Sequence, residues 1–538
     1  MKLNVKNTIY IGLIFFIISL FWQSYDLLIA RTLIDKFGLN QTWSGVVMAL
    51  DNIMAVILLP LFGALSDKSN SKKGRRTPYI IVGTVIAAFA FMALSYTDYK
   101  QTIKISQTDI IESHYDIAFN PDADTRNPQH WLMVVDAMSD ERLDAQTSGE
   151  ISLSKYRAWE EKIKDPMTSI LNDAGTSLDN RELSLIRDLY YTYLSERAWE
   201  LTSTDTLNLF IFGITLFIAL VAMAIFRSPA VALMPDITVK PLRSKANAII
   251  SLMGAIGGIS AVYVIMLSGL NKHAYDDHVI VYIAIGTIML IVLGIFLWKV
   301  NEPMLVKEKL ILERKYIDYI KEQEPDYIDP KLNTFKRRKS LYFLLATIFF
   351  LFMGYNAVMS KIADYMPKVL NLNFFDYPFI IAQVFVLICI IPIGILSTHL
   401  GRKKTILFGI VLLTLAFGSV YFIPESRPWL TSLAVAVAGI GWSMISINTY
   451  VMVVELAKGL DVGRYTGYYY AASMTAQIIT PILSGYLMDT HELKRLTLFP
   501  YATFFVFIAI LTMFFVNQGE AKIIKKSILE SYSIEGGD

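Results

Sequence analysis

Long apolar stretches alternate with short polar segments along most of the chain. Twelve stretches have about the ~20 residues that an α-helix needs to cross the hydrocarbon core of a bilayer. No small-residue cleavage site follows the first stretch, so we interpret it as a retained span rather than a signal peptide. The twelve predicted spans, numbered in chain order, are residues 8–30, 44–66, 77–96, 206–234, 246–270, 278–299, 341–369, 376–398, 405–423, 428–455, 466–488 and 498–517.

Two longer polar segments interrupt the pattern and predict the domain organisation. Residues 97–205 carry 11 basic and 21 acidic residues, and stretches of them have helical apolar spacing, which predicts a small helical insert. Residues 300–340 are expected to connect two six-helix bundles. The bundles are predicted over 1–96 with 206–299 and over 341–519, followed by a tail at 520–538.

The composition excludes several classes of protein. Of the 538 residues, 54% are hydrophobic and 18% are charged, and the mean hydropathy is +0.46, which argues against a disordered, fibrous or nucleic-acid-binding chain. The single cysteine, Cys389, excludes a disulfide framework and a cysteine-based metal site. We find no nucleotide-binding loop, no metal-spaced histidine pair and no nucleophile–base motif, so we expect neither a cofactor nor an enzyme.

The distribution of basic residues predicts the orientation in the membrane. Of the 49 lysines and arginines, 29 fall in segments that would share one side with both termini and the connector. Cytoplasmic loops of membrane proteins are enriched in these residues. We therefore expect a multi-pass protein of the plasma membrane with cytoplasmic termini and an extracellular insert.

Matching motifs recur in the two halves. Span 2 ends in Gly63-Ala-Leu-Ser-Asp67 with arginines following, and span 8 ends in the similar Gly394-Ile-Leu-Ser-Thr398 with basic residues following. Acidic residues close spans 4 and 10. Such parallel repetition indicates a two-bundle secondary transporter. The boundary residues concerned are Gly63, Asp67, Arg75, Arg76 and Asp236 in the first half, and Arg402 and Glu455 in the second.

These motifs resemble those of the major facilitator superfamily. The segment from Asp67 to Tyr79 is similar to that of the glycoside–pentoside–hexuronide:cation symporters. The segment from Arg227 through Asp236 to Gly254 resembles the sucrose-transporter-like branch and its bacterial relatives. The resemblance implies an all-α fold of twelve transmembrane helices in two bundles, an alternating-access mechanism and a sugar as the solute.

Two acidic residues inside spans are candidates for cation coupling. Asp26 in span 1 and Asp51 in span 2 both lie roughly 24 Å above the inner boundary, at 1.5 Å per residue. Carboxylates at one level repel each other, so one of them could take up and release a proton. Asp51 occupies a cation-site position of the melibiose-carrier relatives, but Ala55 replaces their second acid, which favours a proton over sodium. The alternative is that each acid only hydrates or caps a helix.

Polar and aromatic residues spread over both halves predict a sugar site. Amide and hydroxyl groups bind sugar hydroxyls, and aromatic faces cover the apolar side of the ring. Arg227, about 13 Å into the membrane, would face the cavity and bind substrate, or else form a structural ion pair. The other candidates are Trp22, Gln23, Tyr25, Asn356, Gln383, Trp442, Asn448 and Gln477, with Tyr355 as a further stacking surface.

The boundary motifs predict a gate rather than a substrate site, in which ion pairs hold the ends of neighbouring helices together. Gly63 would allow close helix approach, and Asp67 would accept hydrogen bonds from backbone N–H groups at a helix start. Arg75 and Arg76 would pair with Asp236. In the second half Thr398 replaces the acid, which leaves Arg402 with Glu455 as the expected pair.

The sequence thus predicts a monomeric, proton-coupled sugar symporter in which the insert is dispensable for the transport step. Two alternatives stay open. The chain could be an exporter or a carrier of a non-sugar solute, since fold does not determine substrate. It could also be a non-transporting sensor that binds ligand in its extracellular insert.

Overall fold

In the part of the chain that it describes, the computed structural model contains helices and their connecting turns, and no strands. That part comprises residues 4–106, 114–120, 122–239, 243–268, 277–315, 334–370, 384, 387–389, 392–393, 397, 400–423, 427–456 and 462–517. Ten helices in it are long and apolar enough to cross a membrane. The predicted class, an all-α membrane protein, is confirmed.

The first three helices correspond to spans 1 to 3. They are α1 Val5–Arg31, α2 Gln41–Asp67 and α3 Thr77–Ser106. The side chains of Asn4 and Asn40 cap α1 and α2 by accepting hydrogen bonds from backbone N–H groups of the first turn. Helix α1 continues without a break into a π-helix over Thr32–Lys36. Helix α3 runs ten residues beyond the predicted end of span 3, so the first residues assigned to the insert extend this helix.

The described residues of the insert have a hydrophobic core of their own and form a π-helix over Glu160–Lys164 and five α-helices. They are α4 His114–Ala118, α5 Pro128–Thr147, α6 Leu153–Trp159, α7 Asp165–Asp173 and α8 Asn180–Thr204. A capping box between Asp179 and Glu182 starts α8. Trp131, Tyr190 and Tyr193 are buried at the centre of a hydrophobic cluster that is separate from the membrane-spanning core. The helical insert predicted from the sequence is confirmed.

The first half is completed by three further spans and followed by a connector helix. These elements are α9 Leu207–Ile237, α10 Arg243–Leu267, α11 Val279–Lys299 and the connector helix α12 Glu302–Lys315. Large apolar side chains on the outside of the bundle, such as Val82, Ile86 and Phe89 of α3, follow one another at helical spacing and are exposed. A stripe of this kind suits contact with lipid.

The second half comprises α13 Thr334–Val369, α14 Arg402–Val420, α15 Pro428–Glu455, α16 Val462–Thr490 and α17 Leu498–Phe514. They match spans 7, 9, 10, 11 and 12. Most of predicted span 8 lies outside the described residues. Helix α16 has the length of a span but is not among the ten most apolar helices, in keeping with its many Tyr, Thr and Ser residues.

The same packing recurs in both halves. In the first half α3 packs against α9 and α11, and in the second half α14 packs correspondingly against α15 and α17. Likewise α1 packs on α10 and α11, and α13 packs on α16 and α17. The two halves meet where α2 packs against α16 and α1 against α13. This is the repeated arrangement that the boundary motifs predict.

The two ends of the helix bundle are distinguished by what lies on them. We call the end that carries α4 to α8 the insert side, and the end that carries α12 the connector side. Helix α1 starts on the connector side. Helix α17 also ends there, because the N–H group of Asn517 donates to Ser340 near the start of α13.

Candidate functional site

A cavity of about 570 Å³ lies between the two halves. Helix α1 lines it with Trp22, Gln23 and Asp26, and the second half lines it with Tyr355 of α13 and Trp442 of α15. Five of the residues that the sequence singles out therefore meet at one place. Most of the remaining lining is apolar, from residues such as Ile259, Val358, Met359, Ile362, Val435 and Ala438.

The aromatic residues of the cavity differ in what they can offer a ligand. The rings of Tyr355 and Trp442 are stacked with centroids 3.6 Å apart, so each covers one face of the other and leaves only its opposite face available. Trp22 lines the same cavity, and its buried indole N–H has no hydrogen-bond acceptor among the described residues. An acceptor on a bound solute, such as a hydroxyl oxygen, would satisfy that donor.

The two candidate coupling acids have different surroundings. Asp26 is part of the cavity wall. Asp51 lies beside it on α2, close enough for the two charges to interact, but it is not among the lining residues. The Asp51 carboxylate accepts a hydrogen bond of 2.7 Å from the Asn52 side chain and also interacts with the charge of Arg227. Asp51 therefore has polar partners, and Asp26 faces the cavity.

Arg227 contributes from behind the cavity wall. Its guanidinium lies 5.5 Å from the ring centroid of Trp22, a cation–π distance, and its charge interacts with that of Asp51. Arg227 is not one of the lining residues. It is placed to orient Trp22 and to balance Asp51.

Several predicted sugar-binding residues do not line the described cavity. The Tyr25 ring is buried against Phe21, and its hydroxyl donates to the backbone oxygen of Val47 at 3.5 Å. Asn448 accepts from Ser397 and donates to the backbone of its own helix, and Gln477 donates to the backbone oxygen of Ser473. These amides satisfy helix backbone and helix–helix contacts. Asn356 is half-buried and is not among the lining residues of the cavity, and Gln383 lies outside the described residues.

The boundary motif forms a compact ion cluster on the connector side. Arg76, only 5% exposed, donates to Asp236 of α9 at 2.8 Å, to Ser66 at 2.5 Å and to Asp67. Arg75 is exposed and reaches Asp236 at 3.6 Å. The ion pairs between these arginines and Asp236 that the sequence predicts are present. A Cβ atom on Gly63 would lie 2.9 Å from the Ser228 hydroxyl, so α2 approaches α9 closely there.

The start of α3 is capped by a residue that sequence reasoning missed. The carboxylate of Glu302 accepts hydrogen bonds from the backbone N–H groups of Arg75, Arg76 and Thr77 at 2.8 to 3.1 Å. The expectation that Asp67 has this role is wrong, because Asp67 is paired with Arg76. Gly74, with φ of +106°, makes room for the carboxylate: a Cβ atom there would lie 2.3 Å from it.

The corresponding pair of the second half is only partly described. Arg402 is the first residue of α14. Glu455 is the last residue of α15, but its side chain lies outside those described. Their pairing stays a prediction.

A chain of buried charges on the insert side was not anticipated from the sequence. Asp35 pairs with Arg31 and Lys368, and Asp364 pairs with Lys368 and Arg495. Arg495 also binds Asp188 of the insert. Cations and anions alternate along this series, three of each, and none is more than 6% exposed. We call it the insert-side charge chain; its members in order are Arg31, Asp35, Lys368, Asp364, Arg495 and Asp188.

Neighbouring hydrogen bonds join the same two halves. Asp489 at the end of α16 accepts from the N–H groups of Gln41 and Thr42 and so caps α2. The Gln41 side chain donates to Asp364 at 2.6 Å, and Lys361 donates to the Gln41 backbone oxygen at 2.8 Å. The two halves are thus joined through charged and amide groups on the insert side.

One signal in the sequence could have revealed the insert-side charge chain. Predicted span 7 contains Lys361, Asp364 and Lys368, whose spacing of three and four residues puts them on one helix face. Ionisable residues in a span are costly unless they are paired. Their partners in the π-helix after α1, in α2 and in the segment before α17 are too distant in the sequence to be identified by spacing.

The charges inside the insert mainly compensate one another. His114 and Arg197 contact Glu141, and Arg142 pairs with Glu200. Burial alone would raise the pKa of Glu141, but the neighbouring His114 ring, 3.1 Å away, and the charge of Arg197 hold it below its ordinary value. In the described residues no group of histidine, cysteine and acidic side chains has the arrangement of a metal site.

A two-bundle helical protein with a central cavity and ion clusters at both ends is a membrane transporter in architecture. The family model described as "Major Facilitator Superfamily" matches residues 199–459 and 377–530, and the one described as "MFS/sugar transport protein" matches residues 11–101. The chain belongs to the major facilitator superfamily.

Individual relatives are distant. The sucrose transport protein SUC4 of Arabidopsis thaliana is 29% identical over 63 residues, 12% of this chain and 12% of the relative. The general alpha-glucoside permease of Schizosaccharomyces pombe is 25% identical over 61 residues, 11% of each chain. Both alignments thus span only about an eighth or less of the relative's length. A crystal structure of a D-xylose–proton symporter superposes with a TM-score of 0.53 at 14% identity, covering 96% of this chain and 98% of that one, which shows a common fold.

Proposed function

We propose that this protein is a proton-coupled symporter of a sugar in the class of sucrose or maltose. The observation that carries the proposal is the cavity between the halves, where Asp26 and Gln23 stand beside the indole N–H of Trp22 and the Tyr355–Trp442 stack. Polar groups opposite aromatic faces suit a hydroxylated ring. The names of the two relatives and the match to a sugar-transport family model support a sugar as solute.

The proposed topology places both termini and the connector in the cytoplasm and the insert outside. The excess of lysine and arginine on the connector side supports it. In this orientation the cavity would be filled from the insert side and emptied toward the cytoplasm, with the proton gradient of the plasma membrane as the source of energy. The connector-side cluster around Arg76 would bias the equilibrium between conformations without touching the solute.

Asp26 and Asp51 together would carry the proton. Asp26 lines the cavity and interacts with the like charge of Asp51 and with the hydroxyls of Tyr25 and Tyr355, while Asp51 has Asn52 and Arg227 as partners. A carboxylate in a low-dielectric site without a cation is costly, which makes proton uptake there favourable. The sequence favours Asp51 as the principal acid, and the cavity geometry adds Asp26 as the acid nearer to the solute.

Uptake of labelled sucrose and maltose into proteoliposomes tests the function. With an imposed inward proton gradient, accumulation above the outside concentration is expected, and a protonophore should reduce it to equilibration. Sugar accumulation that ignores the protonophore would contradict proton coupling. Failure to bind or move either sugar, in a protein that is folded by size-exclusion chromatography, would contradict the solute class.

Substitution of the two acids separates their roles. In Asp51→Asn and in Asp26→Asn, we expect accumulation against a gradient to be lost while exchange of labelled for unlabelled sugar remains measurable. Asp205→Asn makes the same change at an exposed acid that does not line the cavity, so it serves as the matched control and should still accumulate sugar. Full accumulation with unchanged pH dependence in either acid variant would remove that acid from the mechanism.

A further inference from the structure

Helix α8 of the insert bridges the two halves of the protein. Its C-terminal end is held to the first half: Lys104 donates to the Leu201 backbone oxygen at 2.8 Å, and Gln101 donates to the Thr202 hydroxyl at 3.0 Å. Gly38, with φ of +71°, permits backbone contact between the turn after α1 and α8, because a Cβ atom there would lie 2.1 Å from the Trp199 nitrogen. Only two residues then separate α8 from α9.

The N-terminal part of α8 is held to the second half. The Ser184 hydroxyl donates to the Val369 backbone oxygen at 3.1 Å at the end of α13. Asp188 accepts from the Arg495 backbone N–H at 2.9 Å and also binds its guanidinium. The ammonium group of Lys368 lies 5.4 Å from the ring centroid of Tyr191. One helix of the insert therefore contacts both halves at the same side of the membrane.

The charge of Asp188 completes an electrically balanced series. In the insert-side charge chain each cation has an anion, and Asp188 is the last of the three anions. Without its charge, three buried cations would share two carboxylates. An uncompensated buried cation strongly destabilises the arrangement that buries it, whereas separation of the halves would expose the chain to water. The insert thus contributes directly to the stability of the closed arrangement.

We propose that α8 is a strap that stabilises the state closed on the insert side, and that it releases the second half when that side opens. The attachment to the first half is continuous with α9 and does not cross the moving interface. The attachment to the second half, through Ser184, Asp188 and Tyr191, does cross it. The insert therefore moves with the first half. This revises the expectation that the insert is dispensable: the strap sets how often the cavity opens toward it.

Spin-label distances in the full-length protein test the proposal without any solute. In a Cys389→Ala background, labels replace the exposed residues Lys100 on α3 and Glu492 after α16, which report the separation of the halves on the insert side. In lipid nanodiscs, Asp188→Asn should increase the fraction of the long distance at least about threefold. Asp136→Asn, an exposed acid of the same insert, is the matched control and should leave the distribution unchanged.

Asp35→Asn distinguishes the strap from the rest of the insert-side charge chain, because it breaks a link between the halves without changing a residue of the insert. It should also increase the long-distance fraction. In this variant, the distance between labels at Ser154 and Lys100 should stay the same. The distance distribution between labels at Ser154 and Glu492 should gain a longer component, because the insert moves with the first half. An unchanged distribution of the distance between positions 100 and 492 in Asp188→Asn overturns the proposal, whether or not the insert side opens in Asp35→Asn. A change in the Ser154–Lys100 distance instead would also overturn it, since the insert would then follow the second half.

The proposal uses the relative movement of the halves that transport requires, but it does not depend on the identity of the solute or the cation. Opening of Asp188→Asn in a protein that transports no sugar would support the strap and contradict the proposed function. Proton-coupled sugar uptake, together with an unchanged distance distribution in Asp188→Asn, would support the proposed function and contradict the strap.

Discussion

The ion clusters at the two ends of the helix bundle differ in what they join. On the connector side Arg76 links α2, α3 and α9, which all belong to the first half, and Glu302 adds the connector helix. On the insert side the charge chain runs from Arg31 of the first half through Asp364 of the second to Asp188 of the insert. The described contacts of the first cluster lie within the first half and the connector helix, whereas the second cluster crosses between the halves and must break when its side opens.

The two clusters also differ in burial. The Asp67 side chain is 59% exposed and that of Asp236 is 20% exposed, so water reaches part of the connector-side cluster. All six residues of the insert-side charge chain are buried. Because an ion pair gains most in a low-dielectric site and costs most when one partner is lost there, equal substitutions should have unequal effects at the two ends.

The largest effect that we expect is a loss of stability in the variant Asp364→Asn. The carboxylate accepts from Lys368, Arg495 and Gln41, so its loss leaves two buried cations with one partner fewer. Removing one partner of a buried pair costs about 3–5 kcal/mol. Asp236→Asn on the connector side should cost less than about 2 kcal/mol, since its partner Arg76 keeps Asp67. Thermal unfolding in detergent, followed by size-exclusion chromatography, measures both.

A loss of thermal stability in Asp236→Asn that equals or exceeds that in Asp364→Asn would contradict the ranking of the two ends. Asp205→Asn, which changes an exposed acid between α8 and α9, controls for the removal of a charge as such and should have little effect.

The second-largest effect that we expect is on the rate of sucrose exchange, in variants of the adjacent residues Arg75 and Arg76. Arg76→Ala removes the buried centre of the connector-side cluster, whereas Arg75→Ala removes a half-exposed side chain 3.6 Å from Asp236. We expect Arg76→Ala to slow sucrose exchange about tenfold, equivalent to ~1.4 kcal/mol, with sucrose binding nearly unchanged. Arg75→Ala should slow it less.

Asp67→Ala should resemble Arg76→Ala in direction, because it removes one of the carboxylates bound to that arginine. Equal losses of sucrose binding and exchange in folded Arg76→Ala protein would show that the cluster acts on the solute site. That result would contradict its role in the equilibrium between conformations.

The smallest effect is expected from Glu302→Gln. The amide keeps an acceptor for the N–H groups at the start of α3 but loses the negative charge that favours a helix N-terminus. The expected loss of stability is about 0.5–2 kcal/mol, as for a helix cap. Glu308→Gln on the exposed face of the same α12 is the control, and an equal decrease of the unfolding temperature in both variants would contradict a specific cap.

Local patterns predicted much of this fold. Apolar length located the described spans, and the repeated boundary motif pointed to Arg76 and Asp236, whose partners lie near the ends of adjacent spans. Helical spacing in stretches of residues 97–205 predicted the helical insert to which α8 belongs. These inferences succeed because hydrophobic length and short motifs act within one element or between neighbouring elements.

The lining of the cavity and the insert-side charge chain could not be predicted from the sequence, because both depend on contacts that residue spacing does not encode. Asp26 and Gln23 do face the cavity, but Asn448 and Gln477 have the same residue chemistry and donate to helix backbone instead. Which side of a helix faces the cavity depends on its rotation against its neighbours. Asp188 and Arg495 are separated by 307 positions, and Glu302 caps a helix that begins 225 residues earlier. Such partners are found only when the whole chain is folded.

Sugar-induced proton movement is the measurement that tests the proposed function most directly. Proteoliposomes containing a pH-sensitive dye inside, with equal pH on both sides, receive sucrose outside. We expect the interior to acidify on addition of sucrose. We expect no acidification on addition of a non-substrate polyol such as mannitol at equal osmolarity, and none in Asp51→Asn or Asp26→Asn protein that still exchanges sucrose. Entry of labelled sucrose without any change of internal pH in the unsubstituted protein would contradict proton symport.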